Sequence, residues 1–139
     1  MRSLGLDLGT KTLGLALSDK TNTIASPYKV LRYENEDYDM LFKELDIIIK
    51  EKEITNLVLG LPKNMNNSLG FASDRSLKFK DALENRYHLE VTLIDERLST
   101  VEATNYLLEA DMSRKKRKKV IDGVAASIIL DTYLKMKGN

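Results

Sequence analysis

The chain has no cysteine and no tryptophan, and a single histidine, His88. Thiol chemistry is thereby excluded, and so is a zinc centre built on thiolates and imidazoles; any metal bound here must be held by oxygen atoms. No apolar run approaches the ~20 residues that span a bilayer. Met1 leads directly into an alternating strand-like stretch rather than a secretory leader. The expected setting is the cytoplasm, with no membrane as partner. At 139 residues, 42% of them hydrophobic, the length suits one domain with one core, residues 1–139.

Charge of either sign is nearly balanced, at a net +1, but the balance hides an asymmetry. Arg114, Lys115, Lys116, Arg117, Lys118 and Lys119 are six of the 22 basic residues, and without them 16 basic face 21 acidic residues, a formal −5. Positive potential is thus concentrated in one short segment of an otherwise acidic molecule. Such a run is either a solvated loop without a partner or a contact with a phosphate backbone, where clustered Lys and Arg gain affinity by releasing condensed counterions.

Hydrophobic periodicity gives the element order βββαβαβαα. Residues 3–8 and 12–17 read as a hairpin joined by "GTK", and a third strand over about 25–31 is interrupted near its start by Pro27. Tyr38, Leu41, Phe42, Leu45, Ile48 and Ile49 recur at helical spacing up to about Glu53. "NLVLG" (56–60) is a continuous apolar run, as expected of a strand covered on both faces. A helix over 71–87 has Ala72, Ser76, Phe79 and Leu83 on one face, and "LEVTLI" (89–94) is the fifth strand. Ser99 and Glu102 form a capping box that starts a helix over about 100–110. The basic run follows as a loop, and a last helix begins at Val120 with Ile121, Val124, Ala125, Ile128 and Thr132 on one stripe. Three antiparallel strands followed by βα units predict an α/β fold, a five-stranded mixed sheet flanked by about four helices. Right-handed crossovers then place the first strand at the centre.

That strand, "SLGLDLG", has an aliphatic face of Leu4, Leu6 and Leu8 and an opposite face of Gly5, Asp7 and Gly9. Two further carboxylates stand in unusual settings. Glu96 follows the fifth strand, and Asp122 precedes Ala125 and Ala126 in the last helix, where a backbone can approach another layer closely. Each has an ordinary explanation taken alone: Asp7 can cap the turn at Gly9 and Thr10, Glu96 can pair with Arg97, and Asp122 suits the positive end of a helix. Converging without basic partners, the three would repel one another unless a cation neutralised them. With oxygen ligands only, Mg²⁺ or Mn²⁺ is the expected ion, able to activate water against a phosphodiester without any histidine or covalent nucleophile.

These residues resemble the YqgF/RuvX-type resolvases of the RNase H-like superfamily, over nearly the whole chain. "GLDLGTKTLGLALSD" is similar to the family's opening signature, "LVLGLP" followed by Met65 to its central motif, "DERLST" to its most specific block, and "VIDGVAASIIL" to its closing D-x-x-A-A helix. The resemblance implies an RNase H-like fold, a metal-dependent nuclease, and a catalytic and metal-binding set of Asp7, Glu96 and Asp122. Lys11 is then expected on a phosphate, Asp95 and Arg97 in orienting the site, with Arg97 near nucleic acid, and residues 114–119 on the backbone. The chain departs from the family at Thr12, where an Arg is usual, and at Asn66 and Asn67, where Asp-Gly is usual. The favoured substrate is the 5′ end of precursor 16S rRNA, with ribosomal particles as further partners. The alternatives are four-way DNA in recombination and a nonenzymatic RNA-binding module. The actin-like and sugar-kinase ATPases also carry an Asp before "GT", but their site lies between two lobes and this length suffices for one.

Overall fold

The computed structural model describes residues 2–34, 37–62, 71–95 and 114–136, the side chains of 71, 72 and 114–123 excepted. Strands β1 (Arg2–Leu8), β2 (Thr12–Ser18) and β3 (Ala25–Arg32) form an antiparallel meander, followed by α1 (Asp39–Glu51), β4 (Ile54–Leu61), α2 (Phe71–Tyr87), β5 (Glu90–Asp95) and α3 (Arg114–Met136). The sheet order is β3-β2-β1-β4-β5, with β4 parallel to β1 and β5 parallel to β4. The expected mixed sheet with β1 at its centre is therefore observed. The helix expected over 100–110 and its capping box lie outside the described residues. No described helix is long and apolar enough to cross a membrane.

Side-chain alternation divides the sheet into two faces with different partners. Leu4, Leu6, Leu8, Leu13, Leu15, Leu57 and Leu59 pack under α1 and α2, whose Leu41, Leu45, Ile48, Phe79 and Leu83 fill the same cluster. α1 and α2 are strapped together at the surface: Arg86 donates from Nε and Nη2 to Asp46 at 2.9 and 2.7 Å, and the Tyr87 hydroxyl donates at 2.7 Å. The Arg86 guanidinium, then the Tyr87 hydroxyl, hold the Asp46 carboxyl down at about 2. Pro27 sits on the edge strand β3, opposite Ala16 at a register shift, where a missing amide costs little.

Among the described residues the opposite face is covered by α3 alone. Ala16, Val58 and Ile94 of the sheet meet Ala126, Ile129, Leu130, Tyr133 and Leu134. The approach is closest at Gly5: a Cβ there would lie 2.8 Å from the Ala126 carbonyl oxygen and 2.9 Å from Leu130 Cβ. At the other end of the contact Asn56, paired with Ser3, donates to the Tyr133 hydroxyl at 3.0 Å. The helix therefore runs antiparallel to β1, its lower residue numbers pointing toward the carboxyl end of that strand.

One expectation is corrected. Residues 114–119 are not a loop but the first turns of α3, which begins at Arg114 and not at Val120. Lys and Arg are good helix formers, and charge density signals exposure without dictating backbone conformation.

Because the Gly5 contact involves backbone on the helix side, it cannot be relieved by a rotamer change. Gly5→Ala is expected to lower stability by about 1–3 kcal/mol, read as a shift of the urea midpoint; an unchanged midpoint would mean that α3 is free to lift off the strand.

Candidate active site at the carboxyl end of β1

Asp7 is buried at 8% exposure on the α3 face of the central strand. Its neighbour on β2 is Gly14, and on β4 the residue after Leu59, which pairs with Leu6, is Gly60. Across the sheet the row reads Val30, Gly14, Asp7, Gly60, Ile94. The carboxylate is thus flanked on both sides by strands that carry no side chain at its level. Strands lie about 4.8 Å apart, so any flanking side chain would stand over it. Among the described residues the Asp7 carboxylate has no hydrogen-bond or ion-pair partner. It does not cap the adjoining turn, which closes instead through the Gly9 amide donating to the Thr12 carbonyl at 2.8 Å. A buried, unpaired carboxylate is costly, and a cation beside it would offset that cost.

α3 brings a second acidic position toward the same place. Four residues, about 6 Å of helix, separate Ala126 from Asp122. Two residues, about 6.6 Å of strand, separate Gly5 from Asp7. Both chains extend past the Gly5–Ala126 contact toward the carboxyl end of β1, so the backbone of Asp122 advances in step with that of Asp7. The Asp122 side chain and those of Arg114 to Lys119 are outside what is described, as are Glu96 and Arg97 entirely. Asp95, at the end of β5, pairs with Leu61, and Ile94 before it packs against α3. Among the described residues no three acidic or imidazole side chains come together. Asn66 and Asn67 likewise fall outside the described residues.

The turn carrying Lys11 is held from beneath. Lys11 is exposed, but its carbonyl accepts from the Tyr33 amide at 3.0 Å, and the Tyr33 hydroxyl donates to the Gly9 carbonyl. Tyr33, only 2% exposed, is edge-on to Tyr38 at 5.4 Å, and Tyr38 is edge-on to Phe79 at 5.3 Å. An aromatic column thus connects the turn beside Asp7 to α2. Sequence reasoning missed Tyr33, because it closes a contact over 24 residues; its only local signal was an aromatic residue at the end of a strand.

The RuvX family model, described as Holliday junction resolvase, matches residues 1–136. A protein of Oceanobacillus iheyensis with the provisional name pre-16S rRNA nuclease is 45% identical over 137 residues, 99% of this chain and 100% of that protein. Among solved structures, Thermus thermophilus RuvC in complex with a Holliday junction substrate superposes with a TM-score of 0.63 at 12% identity, covering 99% of this chain and 97% of that one. A Listeria monocytogenes protein provisionally named as an N-acetylmannosamine kinase gives 0.51 at 18% identity, covering 80% of this chain but 40% of that one. At such identities the likeness is one of fold: the same sheet makes a whole resolvase chain and part of a longer kinase chain.

Removing the Tyr33 hydroxyl takes one donor from the Gly9 carbonyl while leaving the ring column in place. Tyr33→Phe is expected to cost about 1 kcal/mol and to speed hydrogen exchange at the Gly9 and Tyr33 amides. Unaltered exchange would show that the turn is held without that hydroxyl.

Proposed function

Because the chain belongs to the RuvX family of Holliday junction resolvases, we propose that it is a metal-dependent nuclease that hydrolyses phosphodiesters in structured nucleic acid, with the 5′ end of precursor 16S rRNA as its substrate. The observation that carries this reading is Asp7: a buried carboxylate without a partner among the described residues, on an open glycine-flanked row, with the Asp122 backbone arriving on α3. The rRNA assignment follows the provisional name of the Oceanobacillus relative. Four-way DNA is the second reading, favoured by the family description.

In this reading Asp7, Glu96 and Asp122 hold Mg²⁺ or Mn²⁺. A buried carboxylate without a partner among the described residues, and an all-oxygen donor set in a chain without cysteine, suit those ions and not zinc. When bound, the ion activates water and stabilises the departing oxygen of the phosphodiester. The protein's own part is placement. Gly14 and Gly60 leave room for a phosphate beside Asp7. Lys11, on the turn fixed by Tyr33, touches a neighbouring phosphate. Asp95 and Arg97 orient the carboxylates by hydrogen bonding, and Arg97 also lies toward nucleic acid. Arg114, Lys115, Lys116, Arg117, Lys118 and Lys119 hold the backbone from the start of α3. Six cations at a helix N-terminus oppose the helix dipole and one another, and a polyanion relieves both costs. Ribosomal particles are further partners under the rRNA reading.

Cleavage of a 5′-extended 16S rRNA fragment and of a synthetic four-way junction, compared side by side in Mg²⁺, in Mn²⁺ and in EDTA, separates the two substrates. Asp7→Asn is expected to lower metal-dependent cleavage by roughly 10²-fold or more with RNA affinity and folding retained; undiminished cleavage would remove Asp7 from the mechanism. Replacing four of the six bases at 114–119 by Gln should weaken binding and reduce its salt slope by up to ~0.9 per lost duplex phosphate contact, or ~0.7 for single strands. A constant slope would mark that run as merely solvated.

A further inference from the structure

The edge strand β3 presents two side chains on the Asp7 face that the mechanism above does not use. Val30 stands opposite Gly14 and Arg32 opposite Thr12, while Gly14 is itself opposite Asp7. Directly paired residues of an antiparallel ladder project to the same face, so Val30 and Arg32 share the face of Asp7 and of Ala16, which packs among the α3 side chains. Leu31 between them pairs with Leu13 and packs into the other layer. Both residues are open to solvent, Val30 at 37% exposure. Arg32 makes no hydrogen bond or ion pair with any described residue. Its main chain is nonetheless fixed, because the next residue is Tyr33, bonded through both its amide and its hydroxyl to the turn beside Asp7. From Asp7 to Arg32 is two strand spacings sideways, about 10 Å, and one two-residue step along the strand, about 7 Å. Among the described residues the edge strand ends the sheet on that side, and no strand stands beyond it.

We propose that Arg32 binds a backbone phosphate close along the same strand to the one beside Asp7, with Val30 against the intervening sugar. This assignment rests on the nuclease reading of the Asp7 site and adds to it a direction: the substrate strand crosses β1 and β2 and leaves over the edge strand β3. A guanidinium suits the task because its planar fork meets phosphate oxygens in pairs, and such contacts set register without reading sequence. Glu34 and Asp37 line a cleft of about 500 Å³ together with Arg32, Tyr33 and Met40. If Arg32 served only to balance those two carboxylates, its loss would lower stability and leave affinity alone.

The test is fluorescence anisotropy of the full chain with a labelled RNA hairpin and a labelled four-way DNA junction, over a salt series, with a thermal melt of each variant. Arg32→Gln is expected to weaken binding about five- to tenfold and to lower the salt slope by about 0.7–0.9, one phosphate contact, with Arg32→Lys recovering part of the loss. Lys29→Gln is the control: it removes the same charge from β3, but Lys29 stands opposite Leu15, on the other face. Its affinity should stay within about twofold of the unsubstituted protein, since only long-range charge is lost. Equal losses for Arg32→Gln and Lys29→Gln, or a lowered melting temperature with unchanged affinity for Arg32→Gln, would overturn the assignment while leaving the nuclease reading intact. Failure of the unsubstituted protein to bind either probe would overturn both.

Discussion

Helix α3 lies where it does because residue 5 has no side chain. The Ala126 carbonyl occupies the space next to Gly5 that a methyl group would need, 2.8 Å from the position of its Cβ. Ala125 and Ala126, buried at 1% and 0% exposure, are the matching small residues on the helix. That close approach sets the height of the helix over β1; with the Asn56–Tyr133 hydrogen bond at the other end it sets the antiparallel course, and so the step that carries Asp122 along the helix as Asp7 is carried along the strand. A bulkier residue at position 5 would separate the two layers and with them the two acidic positions.

What the close approach sets up, the glycine row leaves open. Gly14 and Gly60 flank Asp7 on the two adjoining strands, so no side chain of either neighbouring strand stands at its level. Its surroundings resist being filled by packing and leave the charge without a protein partner among the described residues. The turn next to it is held by the Tyr33 hydroxyl and braced through Tyr38 and Phe79 to the far layer. Rigidity at the carboxyl end of β1 is thus supplied from the α1 and α2 side, while the α3 side carries the charge. This division explains why the same strand alternates leucine with glycine and aspartate.

Much of this was legible in the sequence. The period-two alternation of residues 3–8, the hairpin turn and the apolar run at 56–60 place β1 at the sheet centre, because parallel crossovers leave few other solutions. Ala125 and Ala126 signal a close approach in the sequence without identifying its partner. Three things were not legible, for different physical reasons. Charge density at 114–119 suggests a loop, although Lys and Arg carry no preference against helix. Tyr33 acts through a contact over 24 residues, which no local pattern reports. Arg32 is an ordinary exposed edge-strand residue until the ladder register, with Arg32 opposite Thr12 and Gly14 opposite Asp7, puts it on the Asp7 face. Register depends on turn geometry and on the shift near Pro27, which pairwise spacing in the sequence does not encode.

In the proposed mechanism Asp7, Glu96 and Asp122 form one oxygen site for a divalent cation at the carboxyl end of β1. Anomalous diffraction from crystals of the protein soaked in Mn²⁺ tests it most directly. The expected result is a manganese peak within direct bonding distance of an Asp7 carboxylate oxygen, with Glu96 and Asp122 completing the protein ligands. A manganese peak that excludes Asp7, or carboxylates of Glu96 and Asp122 directed away from it in the soaked crystal, would contradict it.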